Sequence, residues 1–210
     1  MAHFQFFGNC TLSKLDVYRA MQLFNLPNKI TLIRIFLTPV IVVLLHFEDK
    51  NTCLIAAFCF TLASISDLID GYIARRSNMV TSIGKFLDPL ADKVLISSVL
   101  IMLVKLGWVE AWIAVVIICR DLIVTGLRAV AVDEGVVIAA DKFGKLKTIL
   151  QMLAVIPLML HYECLGFSPI LLGEFLLYIA LLLTVFSGAN YMYKFYQLWA
   201  ERHKGPKSTT

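Results

Sequence analysis

Residues 66–93 read SDLIDGYIARRSNMVTSIGKFLDPLADK, and this stretch carries acidic residues where its surroundings are apolar. Upstream, residues 53–66 are almost free of charge and cover about 21 Å as a helix at 1.5 Å per residue. A bilayer's hydrocarbon core is about 30 Å thick, so Asp67 and Asp70 fall within it or at its edge. Downstream, the uncharged run 94–104 is too short to cross, and Asp92 and Asp88 are needed to complete that helix. Asp67 and Asp70 are spaced i,i+3, with Gly71 and Ala74 continuing their face; Gly84, Asp88 and Asp92 recur at i,i+4. Two helices joined by a short turn would then turn four carboxylates toward each other. Each would cost several kcal/mol at that depth unless neutralised. Two Mg²⁺ or Mn²⁺ ions balance a formal charge of −4. The competing explanation is that the aspartates pair with Arg75, Arg76, Lys85 or Lys93.

The whole chain agrees with a membrane setting. Of 210 residues 59% are hydrophobic and only 16% charged, against about 45–50% apolar and 25% charged in soluble domains. Apolar runs at 30–47, 53–75, 84–104, 109–131, 143–161 and 169–194 are long enough to be spans, with polar breaks between them. The expected fold is therefore an all-α integral membrane protein of six transmembrane helices. Residues 1–29 form an N-terminal segment with a possible interfacial helix at 12–24, 30–198 the membrane domain, and 199–210 a polar tail. Of the 19 Lys and Arg residues, only Lys50 and Lys105 fall on one side of this arrangement, which puts both termini in the cytoplasm. The net charge of +4 is explained by those loops, and no nucleic acid partner is expected. The five cysteines show no CxxC spacing and the four histidines are scattered, so neither a disulfide framework nor a zinc site is supported. No cleaved signal peptide is evident at the N-terminus, and no internal repeat of the kind common in secondary transporters is visible.

The pattern Asp67-x2-Asp70-Gly71-x2-Ala74-Arg75-x8-Gly84-x3-Asp88-x3-Asp92 resembles the signature of the CDP-alcohol phosphatidyltransferase family at every fixed position. Further segments are similar to bacterial members that use glycerol 3-phosphate: Asn25-Leu-Pro-Asn28-x2-Thr31-x2-Arg34, Asp88-Pro-Leu-Ala-Asp-Lys93, Arg120-x7-Arg128 and Gly144-Lys-x-Lys147-Thr148-x2-Gln151. Together they span about residues 25–160, while the last helix is alike only in hydropathy.

The resemblance implies a six-span enzyme, commonly a homodimer, in the bacterial cytoplasmic membrane with its site on the cytoplasmic side. It implies transfer of the phosphatidyl group of CDP-diacylglycerol to glycerol 3-phosphate with release of CMP. Asp67, Asp70 and Asp88, with Asp92 at the edge of the set, would hold two Mg²⁺ or Mn²⁺ ions on the donor diphosphate, and Asp92 would be the general base. Asn28, Thr31, Arg34, Gly71, Ala74, Arg75 and Gly84 are expected along the CDP moiety, although Asn28 would equally serve as a helix cap. Arg120, Arg128, Lys145 and Lys147 are expected to bind the acceptor phosphate, placed at the cytoplasmic ends of spans four and five. Asp121 is assigned at most a structural pairing with Arg120 or Arg128. Membrane lipids are expected partners, and the acyl chains of the donor would enter laterally. Two alternatives remain: the same family with another acceptor, making cardiolipin or a phosphatidylinositol phosphate, or a divalent-cation transporter. The absence of repeats and the location of the acidic cluster near one surface disfavour the transporter.

Overall fold

The computed structural model describes residues 26–77, 82–133, 142–162 and 168–203, with the side chains of 26–30, 67–77, 82–89, 133, 142–143 and 201–203 outside that description. Among the described residues six helices follow in order: α1 Leu26–His46, α2 Lys50–Ser77, α3 Ser82–Lys105, α4 Ala111–Asp133, α5 Lys142–Met159 and α6 Pro169–His203. Among the described residues there is no strand. Each apolar run expected to be helical is found, with starts displaced by no more than about one turn. Two boundaries differ. The first helix begins at Leu26, so Asn28 lies inside its first turn and not at its cap. The last helix continues past 194 through Trp199 to His203. The possible interfacial helix at 12–24 lies outside the described residues.

By length and apolarity alone, one helix among the described residues, Pro169–Ala200, qualifies as a membrane span, and the described parts of α1 and α2, Thr31–His46 and Lys50–Ser66, are apolar as well. α3, α4 and α5 carry charged residues within their length, among them Asp92, Lys93, Arg120, Asp121, Lys145 and Lys147.

The helices pack along seams of period three to four. In α1 the buried residues are Thr31, Arg34, Thr38, Ile41 and Leu45. Their counterparts in α5 are Lys147, Gln151, Met152, Ala154, Val155, Leu158 and Met159, and in α6 Leu177, Ala180, Leu181, Thr184, Ser187 and Tyr191. α1 packs against both α2 and α3, α4 packs against α3 and α6, and α5 and α6 form the most extensive pair. Small residues bring the backbones close: Ala56, Ala57 and Ala63 in α2, Ala154 in α5 and Ala180 in α6 are all buried. The exterior is the reverse of a soluble protein's, with Phe36 73%, Leu171 74% and Leu182 71% exposed.

The α5–α6 contact is tightest at Gly173, where an added Cβ would lie 2.7 Å from Leu158 Cγ and 3.1 Å from the Ala154 carbonyl oxygen. Because the carbonyl belongs to a helix backbone, the clash can only be relieved by separating the helices. Gly173→Ala is therefore expected to destabilise the fold by about 1–3 kcal/mol, seen as a lower thermal midpoint in detergent. An unchanged midpoint would mean that the two helices slide freely at this crossing.

Along each seam the character changes from apolar to polar in the same direction. His46 at the end of α1 lies 2.7 Å from the Lys105 Nζ at the end of α3, and the Tyr162 hydroxyl after α5 donates to the Glu48 carbonyl. This end also holds the stacked rings of Trp108 and His161, 4.2 Å apart. Just inside it the core is dry: Leu45, Phe60, Leu103, Ile117 and Leu158 are fully buried. Further along, the same seams present Thr38 and Arg34 in α1, Asp121 in α4, Gln151 and Lys147 in α5, and Thr184 and Ser187 in α6.

Candidate functional site

The polar half of the core is organised around one carboxylate. Asp121, in the middle of α4, is 4% exposed. Lys147 of α5, 2% exposed, donates to its Oδ1. The same oxygen accepts from Arg120 Nη1 at 3.1 Å, and Lys93 Nζ of α3 lies 3.5 Å from Oδ2. Lys93 Nζ is also 3.6 Å from Asp92 Oδ2, so one ammonium stands between the two carboxylates. A buried Lys or Asp is tolerated only with a partner and satisfied hydrogen bonds, and this group supplies both.

Helix α6 completes the wall. Arg120 Nη2 donates to Ser187 Oγ at 2.6 Å, and an added Cβ on Gly188 would lie 2.9 Å from Arg120 Cγ. The glycine is thus the space into which the arginine stem folds. One turn on, the Arg128 guanidinium lies over the Tyr191 ring, 5.9 Å from its centroid. The threonines of this region are satisfied within their own helices: Thr38 donates to the Arg34 carbonyl at 2.9 Å and Thr184 to that of Ala180 at 2.6 Å. The buried side-chain donors for which the described residues supply no hydrogen-bond partner include Arg120 Nε, Gln151 Nε2 and the Tyr191 hydroxyl. Gln151 is one turn from Lys147 on the same face of α5. Buried donors without acceptors are costly unless a ligand or water meets them.

The expected site residues divide into three groups. Lys147, Arg120 and Asp92 are joined through Lys93 and Asp121. Thr31 and Arg34 are buried on the α1 seam, each 3% exposed. Arg128 is exposed but placed by Tyr191, whereas Lys145, two residues from Lys147 and so on another face, points outward. The third group comprises Asn28, Asp67, Asp70, Gly71, Ala74, Arg75, Gly84 and Asp88. Their backbones lie in α1, α2 and α3, and their side chains lie outside the described ones.

Two sequence expectations are corrected. Arg120 does not sit at a helix end: it is nine positions after Ala111, about 14 Å into α4 at 1.5 Å per residue. Asp121, expected at most to neutralise one arginine, is the acceptor for three cations. Lys93, Ser187, Gly188 and Tyr191 went unassigned to any site. The spacing of Thr184, Ser187 and Tyr191 along one face of α6 is the signal that could have found the α6 residues.

The chemistry available is that of an anion site. Among the described residues three cations face two carboxylates, and the unpartnered donors Arg120 Nε and Gln151 Nε2 lie in the same region, a combination that suits a phosphate. Continuous helix through 67–70 and 88–92 keeps the i,i+3 and i,i+4 spacing of the four aspartates, whose hard oxygen donors suit Mg²⁺ or Mn²⁺.

Comparison with known proteins bears on the family of the chain. A family model described as CDP-alcohol phosphatidyltransferase matches residues 24–186. The chain is similar to proteins named CDP-diacylglycerol–glycerol-3-phosphate 3-phosphatidyltransferase. The one from Bacillus subtilis is 43% identical over 187 residues, which cover 82% of this chain and 95% of the relative. The one from Rickettsia typhi is 41% identical over 168 residues, 80% of this chain and 94% of the relative. That of Haemophilus influenzae is 34% identical over 174 residues, 80% and 92%.

Proposed function

The chain belongs to the CDP-alcohol phosphatidyltransferase family, and from that membership we infer that it transfers the phosphatidyl group of CDP-diacylglycerol to glycerol 3-phosphate. The products are phosphatidylglycerophosphate and CMP, a step of phospholipid synthesis. The observation that carries this reading is identity of 40% or more with relatives of that name over about four-fifths of the chain.

In this reading the acceptor phosphate is met by Lys147, Arg120 and Arg128. Asp92 takes the proton from the acceptor hydroxyl. The hydroxyl oxygen then forms a bond to the phosphorus carrying diacylglycerol as the bond to CMP breaks, in one displacement with no covalent enzyme intermediate. Asp67, Asp70 and Asp88, with Asp92, would hold two Mg²⁺ or Mn²⁺ ions. Bound there, the ions would supply charge stabilisation on the diphosphate and the departing CMP. Arg75, with Thr31, Arg34, Gly71, Ala74 and Gly84, is assigned to the nucleotide.

The six helices are proposed to span the bacterial cytoplasmic membrane, supported by the apolar exterior and by the concentration of Lys and Arg on one side. Both termini and the active site then face the cytoplasm, where CDP-linked donors and glycerol 3-phosphate occur. The protein is proposed to act as a homodimer among membrane lipids, as family members commonly do.

The test is direct. Full-length protein in detergent–lipid micelles, given CDP-diacylglycerol, labelled glycerol 3-phosphate and Mg²⁺, is expected to yield labelled phosphatidylglycerophosphate and equimolar CMP. CMP release only with phosphatidylglycerol or an inositol phosphate would replace the acceptor while keeping the class. With EDTA in excess, activity is expected to fall to background and to return with Mg²⁺ or Mn²⁺. Full activity after exhaustive chelation would remove the metals from the mechanism.

A further inference from the structure

We propose that Asp121 is the positioning residue of the acceptor site, and that α6 shares this role through Ser187 and Gly188. The proposal rests on the acceptor-phosphate reading above.

A structural carboxylate in a helix bundle ordinarily answers one cation. Asp121 answers three, brought from three helices: Lys93 of α3, Arg120 of α4 and Lys147 of α5. Each of the three depends on it differently. Lys147 is a point charge on a flexible stem, buried to 2%, and Asp121 is the carboxylate that holds its Nζ. Arg120 is planar, and two anchors fix its plane: Nη1 on Asp121 Oδ1 and Nη2 on Ser187 Oγ. Gly188 lets the arginine stem lie against α6, since a Cβ would come within 3.0 Å of Arg120 Nε. Lys93 is shared at nearly equal distances between Asp121 and Asp92, so the position of its ammonium beside the proposed base is set in part by Asp121.

A purely structural cluster would balance its charge. Among the described residues this one keeps three cations for two carboxylates and leaves Arg120 Nε without a protein partner. Asp121 therefore places the cations without cancelling them, which leaves positive charge for an incoming dianion. Preorganised cations of this kind act mainly on binding of the group they meet.

The experiment compares wild-type protein with D121N and S187A, all full-length in the same micelles. D121N keeps the shape of the side chain and removes its charge. The Michaelis constant for glycerol 3-phosphate is expected to rise at least tenfold, with that for CDP-diacylglycerol unchanged within twofold. S187A removes only the hydroxyl that orients Arg120 and is expected to raise the glycerol 3-phosphate constant about threefold, again without touching the donor. S187A also serves if D121N does not fold. A folded D121N with an unchanged acceptor constant overturns the proposal, as does an unfolded D121N together with an unchanged S187A. Equal change in both substrates' constants would mark Asp121 as structural and also overturn it. If wild-type protein releases CMP only with another alcohol, the acceptor assignment fails. The same variants measured against that alcohol then decide the positioning role separately.

Discussion

Asp92→Asn is expected to lower CMP release by about 10²–10⁴-fold, the range lost with a positioned general base. Asn has the size and shape of Asp but cannot accept a proton from the acceptor hydroxyl at neutral pH. Asp92 is partly exposed, with 19% of its side chain accessible, and Lys93 keeps Asp121 as a partner at 3.5 Å when the Asp92 charge is gone. A normal thermal midpoint with chemistry nearly absent under single-turnover conditions is the expected pair of results. Turnover within a few-fold of wild type would move the base elsewhere, and an inactive protein with a collapsed midpoint would leave Asp92 a structural partner.

Lys147→Met should act the other way, on stability as strongly as on activity. The side chain is 2% exposed and its one hydrogen-bonding anion, Asp121, is 4% exposed. Methionine fills a similar volume but leaves Asp121 with one buried partner fewer. Removing one member of a buried pair costs about 3–5 kcal/mol, and the loss falls toward the low end because Arg120 and Lys93 stay. A fall in thermal midpoint together with weaker glycerol 3-phosphate binding is expected. Lys145→Met is the control. Exposed and two residues away, it should change stability by no more than about 0.5 kcal/mol. Equal effects from the two lysines would contradict the packing of α5.

That contrast shows where sequence reading stops. Lys145 and Lys147 stand in one motif, and a resemblance assigns them together. Only the helical phase, once α5 is anchored by Gln151, Val155 and Leu158 in the core, sends one inward and the other out. Arg120 and Arg128 separate in the same way: the first is fixed by Asp121 and Ser187, the second lies on the ring of Tyr191 at the surface. Asp121 was illegible for a related reason. An acidic residue beside an arginine in an apolar helix looks like a local ion pair, and nothing nearby in the chain announces further cations.

The six helices of the described residues, their order and the family were legible in the residues alone, because they depend on local quantities. An apolar run of sufficient length must be helical where water cannot satisfy its backbone, polar breaks must end it, and a spaced set of aspartates survives as a readable pattern. What the tertiary structure decided is which charges share a site. The partners of Asp121 and Arg120 come from 26, 28 and 67 residues away, Lys147, Lys93 and Ser187 respectively. The stability of a buried charge is set by what lies within a few ångströms of it, and no periodicity along the chain encodes that distance.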